Sequence, residues 1–413
     1  MRILVLGAGV VGITTAYELA RKGCKVTVVD QACSVAAGAS FANGGQLSYS
    51  FVDPLASPQM VASLPGILLG RNSAIRFNCP FDRQLMRWGI KLLGHSFAPF
   101  RTRDLKSAIT LALESRAALN SLLGKHNISF RHRVAGKLVV TRSLRAFNAM
   151  RAKAEIKKRA GLNVYALSPS ECHGLASGLD DQLPTIAGGI YSPDDAVGDA
   201  RRFTEALAMI CSSQYGVEIK LKRRIRGLLT DSDRAVGVTT SGGDFTADAV
   251  VVALGAGARP LLERYGIHAP IMPVKGYSFS MPASESMGLG LSLTDADKRI
   301  VFAPLDNEIR VAGLADFDGT DTSLKEDRLK LLKQTAQEAL PFVGDYDHAC
   351  SGWAGIRPMT PDGLPITGKS RMAGLYLNCG HGMFGWTFAC GSADRLADLM
   401  LEKRRNNEKG VAA

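Results

Sequence analysis

The first thirty residues constrain the fold more than any other stretch of this chain. Arg2 to Leu6 reads Arg-Ile-Leu-Val-Leu, a short apolar run rich in β-formers, and it leads directly into Gly7-Ala8-Gly9-Val10-Val11-Gly12. A helical pattern continues to about Lys22, Gly23 stops it, and Val26, Val28 and Val29 make a second apolar run that ends at Asp30. Strand, glycine turn, helix, strand and acid, in that order, form a dinucleotide-binding unit. Gly7 permits the tight turn, Gly9 lets the backbone approach a pyrophosphate, and Gly12 lets the helix pack close to the strand. The helix start at Val10 and Val11 offers unpaired N–H groups and the positive end of the helix dipole to phosphates. Asp30 lies 18 residues beyond Gly12, where a carboxylate can accept hydrogen bonds from a ribose diol. The alternative is a bland strand–turn–helix, which needs neither the second strand nor the acid.

After Asp30 the chain runs through Ala36 to Ser50, a small, polar, Gly-rich stretch too irregular for a regular element. A plain surface loop is one reading. Contact with a cofactor through Ser40, Asn43, Gly44, Gly45 and Gln46 is the other, because the segment leaves the carboxyl end of the second strand, where open α/β sheets bind ligands. Val61 to Arg71 is apolar and broken by Pro65-Gly66, and reads as a buried piece, a lid or a membrane-touching loop. Helical periodicity marks Leu85 to Leu93, Leu105 to Leu123 and Leu144 to Arg159. Ser168 is placed to cap a helix.

The middle of the chain separates two kinds of dinucleotide fold. Val217, Ile219 and Leu221 alternate with charged residues, and turn clusters follow at Asp231-Ser232-Asp233 and Ser241-Gly242-Gly243. Three short strands linked this way form an antiparallel meander. Ala249 to Leu254 is then a fully buried strand ending in Gly255-Ala256-Gly257. A nicotinamide-type Rossmann half would put a helix where the meander sits. A βαβ unit with a meander is instead the arrangement of FAD-binding folds of the glutathione-reductase type. Strands at Val274 to Met281, Ile300 to Pro304 and Glu308 to Leu314, and an amphipathic helix at Leu324 to Leu340, read as a second, antiparallel-sheet domain. The expected division is 1–80, 188–272 and 349–413 for the cofactor domain, with 81–187 and 273–348 for the substrate domain. The fold class is thus α/β plus α+β.

The totals narrow the function classes. With 413 residues, two domains are the natural expectation. The formal charge of +12 comes from scattered basic residues without a nucleic-acid motif. It reads as a solvated surface, or as attraction to an anionic membrane face or to carboxylate substrates. The eight cysteines form no Cys-x-x-Cys and no zinc spacing, so reduced thiols and no metal are expected. Met1 leads straight into the first strand, which leaves no room for a signal peptide, and no apolar run reaches a membrane-spanning length. A cytoplasmic protein is expected, with peripheral attachment to the inner face of the plasma membrane as a further expectation.

Three residues stand out for chemistry. Arg357 opens Arg-Pro-Met-Thr-Pro-Asp-Gly, whose prolines stiffen the segment. Its planar guanidinium suits a bidentate grip on a carboxylate, against the alternative of a structural salt bridge. Tyr277, in Lys275-Gly276-Tyr277-Ser278, is either a second donor to the same carboxylate or a buried core tyrosine. His381, between Gly380 and Gly382, is expected to line a flavin rather than act as a base. Gly380, Gly382, Met383, Gly385, Trp386 and Thr387 form a second glycine turn and helix start. Aimed at a flavin's pyrimidine end, that helix would stabilise the negative charge of the reduced ring. No paired catalytic carboxylates, nucleophile triad or metal motif accompanies them.

These residues together resemble the FAD-dependent D-amino-acid oxidase superfamily, and within it the bacterial FAD-dependent dehydrogenases of D-amino acids. The stretches that carry the likeness are Gly7 to Gly12 with Asp30; Ser40 to Gln46; Gly188-Gly189 through Pro193-Asp194-Asp195 to Gly198-Asp199; Lys275-Gly276-Tyr277-Ser278; Gly355 to Gly363; and Gly380-His381-Gly382 with Gly385-Trp386-Thr387. The resemblance implies a discontinuous FAD domain and a small D-amino or imino acid as substrate; some relatives bind FAD covalently through His or Cys, but no residue here is clearly placed for that, so non-covalent FAD is expected. It implies that Arg357 holds the substrate carboxylate while the α-hydrogen leaves as hydride to the flavin. The imino acid then hydrolyses to a 2-oxo acid and ammonia, and the electrons pass to a membrane quinone or another electron-transfer partner. Relatives that act on D-hydroxyproline or D-proline, or oxidise glycine or sarcosine with oxygen, are the alternatives within the same fold. The tail after Trp386 is shorter than in typical members, and Val61 to Arg71 is not an exact match to them.

Overall fold

The computed structural model describes the whole chain except residues 69–72, 79–81, 177–185, 285–288, 351 and 411–413. Arg2–Leu6 is the inner strand of a six-stranded sheet and pairs in parallel with Lys25–Val29 on one side and Ala249–Val252 on the other. Glu218–Lys220 extends the first side, and Leu375–Cys379 followed by antiparallel Ile366–Lys369 extends the second. The run Ile3-Leu4-Val5-Leu6 is apolar without alternation because both faces are covered. Ile3 and Val5 face the helices Val10–Arg21 and Gly385–Gly410, packing with Ile13 and Phe388. Leu4 and Leu6 face a meander of Ile225–Asp231, Arg234–Thr240 and Gly243–Thr246, packing with Leu228 and Val238.

Among the described residues, the second sheet has nine strands. Trp353–Met359, Met272–Pro282, Glu308–Phe317, Ile300–Leu305 and Ser292–Asp295 run antiparallel in that order. Lys137–Thr141 joins in parallel, and Gly188–Ser192 and Tyr165–Leu167 complete that side. Ile75–Phe77 pairs with the end of Glu308–Phe317. The helix Glu326–Ala339 buries Leu332, Ala336 and Ala339 against the sheet, among them Tyr277 and Val311. Asp306 takes a positive φ of 54° in the turn before Glu308, as a two-residue hairpin loop requires.

Several elements differ from the sequence reading. Glu218–Lys220 carries the expected alternation but is the sixth strand of the parallel sheet, and the meander begins at Ile225. Its period of two reports one exposed face, which an edge strand of either sheet shares. Gly188–Ser192 pairs with Lys137–Thr141 in the large sheet rather than standing with the dinucleotide unit. Gly189 permits this, because a Cβ there would come within 2.8 Å of the Cys172 sulfur. The helix Ala98–Leu123 packs on the closing helix, where the Gly391 N–H donates to Ser115 Oγ at 3.0 Å. The loop 36–50 contains one short strand, Gln46–Leu47, paired with Ala196–Val197. In the apolar segment 61–71, residues 69–71 lie outside the described residues. Up to Leu68 it belongs to the helix Pro58–Leu68, which buries Ile67. Ser168 caps Pro169–Leu175 in a reciprocal capping box with Glu171. Among the described residues, no helix is long and apolar enough to cross a membrane.

Candidate active site

A cavity of about 1940 Å³ runs between the two sheets. It is well above the few hundred to a thousand Å³ of a common small-ligand pocket, and it suits an extended dinucleotide with a small substrate beside it. At one end lie Gly7, Gly9, Val10, Val11 and Asp30. Gly7 takes φ +109°, and a Cβ on Gly12 would overlap the Gly7 carbonyl oxygen, so the helix approaches the strand as only glycine allows. Gly12 itself does not line the cavity; it sets the distance. Asp30 Oδ2 accepts the Ala8 N–H at 2.7 Å and Oδ1 accepts the Ala32 N–H at 2.8 Å. Each oxygen keeps a lone pair, so the carboxylate braces the turn and can still meet a diol. Ser40 Oγ accepts the Val10 N–H at 3.0 Å, which places the loop against the helix start.

Asn43, Gly44, Gly45, Gln46, Gly255, Gly382, Met383, Gly385, Trp386 and Thr387 also line the cavity. Gly380 does not; its φ of +76° and tight approach to Thr360 shape the turn that follows the last parallel strand. Trp386 is largely structural: its indole N–H donates to the Gly198 carbonyl at 3.1 Å, and its ring packs on Phe130 and Phe203. Thr387 Oγ1 accepts the Ser48 N–H at 3.2 Å. These donors, glycine turns and two helix starts fit FAD. Gly7 to Gly12, Ser40 and Asp30 would hold the adenosine and pyrophosphate. Gly382 to Thr387 would face the flavin.

Arg357 lines the cavity on the strand Trp353–Met359. Its Nη1 donates to the Leu314 carbonyl at 2.8 Å and Nη2 to the Gly313 carbonyl at 3.4 Å. Neutral carbonyls leave its charge uncompensated, and no described carboxylate forms an ion pair with it. Burial pushes the guanidinium down to about 10, with only the more distant Asp316 opposing the shift. Gly276, on the neighbouring strand and two residues from Val274, the register partner of Arg357, makes the room: a Cβ there would overlap the guanidinium.

Tyr277 also lines the cavity, but its hydroxyl is already bonded within the protein. It is buried, and its hydroxyl donates to Asp316 Oδ2 at 2.9 Å. Asp316 is also held by Arg76 at 2.9 Å and Arg328 at 2.7 Å, so the tyrosine completes a buried ionic cluster. Burial first, and then the bond to Asp316, push its phenol up, which keeps it protonated. His381 is buried at the cavity, with Nε2 2.9 Å from Ser392 Oγ. Burial pushes it down to about 3, so the ring is neutral.

Lys137 is the residue that sequence reasoning missed. It is buried, lines the cavity, and donates to Gln46 Oε1 and Ser48 Oγ, both at 2.8 Å. Its ammonium sits 4.6 Å from the Phe51 ring centroid. Burial pushes it down to about 8, against the attraction of Asp195 and Asp53. Burial likewise pushes Asp195 up to about 6, against Lys137. Asp53 is held below the usual carboxylate range; burial opposes this, but Lys157 and Lys153 outweigh it. Gln46 is therefore engaged through both ends of its amide, since its Nε2 donates to Ser292 Oγ at 2.5 Å. The available signal was a lysine at the head of the otherwise apolar strand Lys-Leu-Val-Val-Thr.

Comparison with known proteins agrees with this geometry. A family model described as FAD dependent oxidoreductase matches residues 2–399. The chain is 38% identical over 406 residues to a D-amino acid dehydrogenase of Paramagnetospirillum magneticum, covering 97% of this chain and 95% of that protein. It is 32% identical over 412 residues to a D-amino acid dehydrogenase of Vibrio vulnificus, covering 100% and 98%. Among solved structures it is similar to glycine oxidase from Bacillus cereus, with a TM-score of 0.74 at 20% identity, covering 97% of this chain and 95% of that one. It is also similar to L-proline dehydrogenase from P. horikoshii, with a TM-score of 0.77 at 18% identity, covering 97% and 93%. At these identities the structures speak to the fold alone.

Proposed function

The chain belongs to the family of FAD-dependent oxidoreductases, and on that premise we propose that it oxidises D-amino acids to imino acids, which hydrolyse to 2-oxo acids and ammonia. Arg357 carries the reading: a cationic fork in the cavity wall, hydrogen-bonded to two main-chain carbonyls, with no described carboxylate paired to it. A substrate carboxylate supplies the missing anion, and an excluded-water setting strengthens that pair.

When bound, FAD supplies the two-electron acceptor for the α-hydrogen, which leaves Cα as hydride. The protein's own part is binding and orientation. Arg357, kept in place by the Gly313 and Leu314 carbonyls and by the absence of a side chain at Gly276, fixes the carboxylate end of the substrate. The neutral ring of His381, bonded to Ser392, contributes shape without charge. Lys137, anchored by Gln46 and Ser48, sets a second positive charge in the wall, and Ser48 ties it to Thr387 at the start of the closing helix. Electrons leave to a quinone-type acceptor at a membrane face, where the protein attaches peripherally; the basic surface supports this.

The test is anaerobic bleaching of the bound flavin by a panel of D- and L-amino acids, D-proline and cis-4-hydroxy-D-proline included. Bleaching by several D-amino acids and not by their L-forms is the expected result. Bleaching confined to the cyclic substrates would move the protein to an imino-acid dehydrogenase, and peroxide release under air would make it an oxidase. No bleaching with FAD bound would overturn the substrate class.

A further inference from the structure

Among the described residues, several exposed apolar side chains cluster on the helix Arg83–His95 and the start of Ala98–Leu123. Met86, Ile90 and Leu93 recur at helical spacing, and Ile90 is 69% exposed. The chain turns tightly there, with the Phe97 N–H donating to the Gly94 carbonyl, so Phe97, 68% exposed, and Phe100, 48% exposed, continue the patch. Phe100 packs edge-on against His95. Other strongly exposed apolar side chains, such as Met209 and Phe342, sit on other elements. Single exposed residues need no explanation, but a contiguous stripe does.

The flank of this stripe is cationic. Arg83, Arg87 and Lys91 follow one another at intervals of four along the helix, and Arg101 and Arg103 lie just beyond Phe100. No ion pair holds Arg83, Arg87 or Arg101 among the described residues. Lys91 meets only the neighbouring His268, with 2.9 Å between the nitrogens. The opposite face of the helix is buried. Trp88 and Leu92 pack with Met272, Val274 and Met359, and the Trp88 indole N–H donates to the Met359 carbonyl at 3.0 Å. Val274 and Met359 line the cavity. One helix therefore packs its inner face on residues that line the active-site cavity, and its outer face is apolar with a basic margin.

We propose that the face formed by Met86, Ile90, Leu93, Phe97 and Phe100 docks the protein flat on an anionic lipid bilayer, with Arg83, Arg87 and Lys91 in the headgroup layer. An apolar stripe bordered by unpaired cations has the composition of an interfacial helix. A second copy of this chain is the weaker occupant, since a symmetric contact would set the cationic flanks against each other. The docking reading rests on the membrane acceptor of the proposed function for its purpose and deepens it: the bilayer is brought to the wall that carries Met359, two residues from Arg357.

Cosedimentation of the full-length holoprotein with vesicles tests this. Vesicles of phosphatidylglycerol mixed with phosphatidylethanolamine are compared with vesicles of phosphatidylcholine alone, at low and high salt. The wild type is expected to bind the anionic vesicles, less so at high salt. The double variant Ile90→Ser, Phe97→Ser is expected to lose at least about tenfold in partitioning, and Arg87→Glu with Lys91→Glu a similar amount on anionic vesicles. Met209→Ser is expected to bind like the wild type. Reduction of a soluble dye by substrate should be unchanged in every variant, which also shows that each is folded. Equal vesicle binding by the Ile90/Phe97 variant, or none by the wild type, overturns the proposal. So does a wild-type dimer that the same variant dissociates, which would make the patch a self-interface. Failure of dye reduction in the wild type would instead overturn the proposed reaction and leave the vesicle result standing.

Discussion

Two side chains on adjacent strands show how differently the same neighbourhood treats a polar group. Arg357 has neutral partners and faces the cavity, whereas the Tyr277 hydroxyl is spent on Asp316. Arg357→Ala should raise KM for the best D-amino acid by about 30- to 1000-fold, the 2–4 kcal/mol of a lost charge-assisted pair, in steady-state kinetics with a soluble dye. Tyr277→Phe should change KM less than about threefold and cost roughly 1 kcal/mol in denaturant unfolding, because Arg76 and Arg328 still hold Asp316. If the tyrosine variant showed the larger KM effect, the two roles would have to be exchanged. Lys137 offers a pH test. Its pKa in the folded protein is about 8, below the ordinary lysine value of 10.5, so the unfolded chain binds more protons between those limits. This contribution to stability therefore rises with pH through that window and is lost as pH falls to 8. Lys137→Met should flatten the rise by up to about 1.4 kcal/mol per pH unit, measured as denaturant midpoints at several pH values. The sequence offered Arg357 for a carboxylate and left Tyr277 between a second donor and a core tyrosine, while Lys137 carried no reading at all. Tyr277 and Arg357 both sat in recognisable motifs, and only the partners of each oxygen and nitrogen distinguished them.

At the level of elements, the first βαβ unit was readable from end to end. Its signals are local: an apolar run, glycines at fixed offsets, a stop at Gly23 and an acid after the second strand. Gly12→Ala should yield protein that purifies with little or no FAD, a loss of more than about tenfold in affinity, because the new Cβ would push the helix away from the Gly7 carbonyl. Titration of the apoprotein with FAD by flavin fluorescence quenching measures this; retention of wild-type affinity would remove Gly12 from the cofactor unit. The strand Glu218–Lys220 was assigned to the wrong sheet for an equally physical reason. Three residues of alternating pattern state that one face is wet, and say nothing about whether the neighbour is the meander or Lys25–Val29. Helices with caps fared better, since Ser168 and Glu171 write their boundary into four consecutive residues.

Across the whole molecule, the cavity is where the two sheets meet, so neither sheet alone holds the cofactor and substrate. Binding that closes the seam stabilises both. Removal of FAD should lower the thermal midpoint by several degrees, and re-addition should restore it in proportion to the logarithm of FAD concentration; calorimetry of apo and reconstituted protein checks this. A midpoint that ignored FAD would mean that the seam is already rigid without it.

The sequence by itself determined the dinucleotide unit, the presence of a meander and a second antiparallel sheet, and the small set of motifs that point to FAD and a carboxylate substrate. Those features are encoded in residues a few positions apart, where propensity, glycine conformation and periodicity act. Only the tertiary structure decided that Lys137 and Asp195 are buried together, that Tyr277 belongs to the Asp316 cluster, that Gly276 clears the space for Arg357, and that an exposed apolar face lies at 86–100. Each of these depends on contacts between residues tens to hundreds of positions apart. Burial, which sets the charge and the cost of every polar group, is a property of the packed whole.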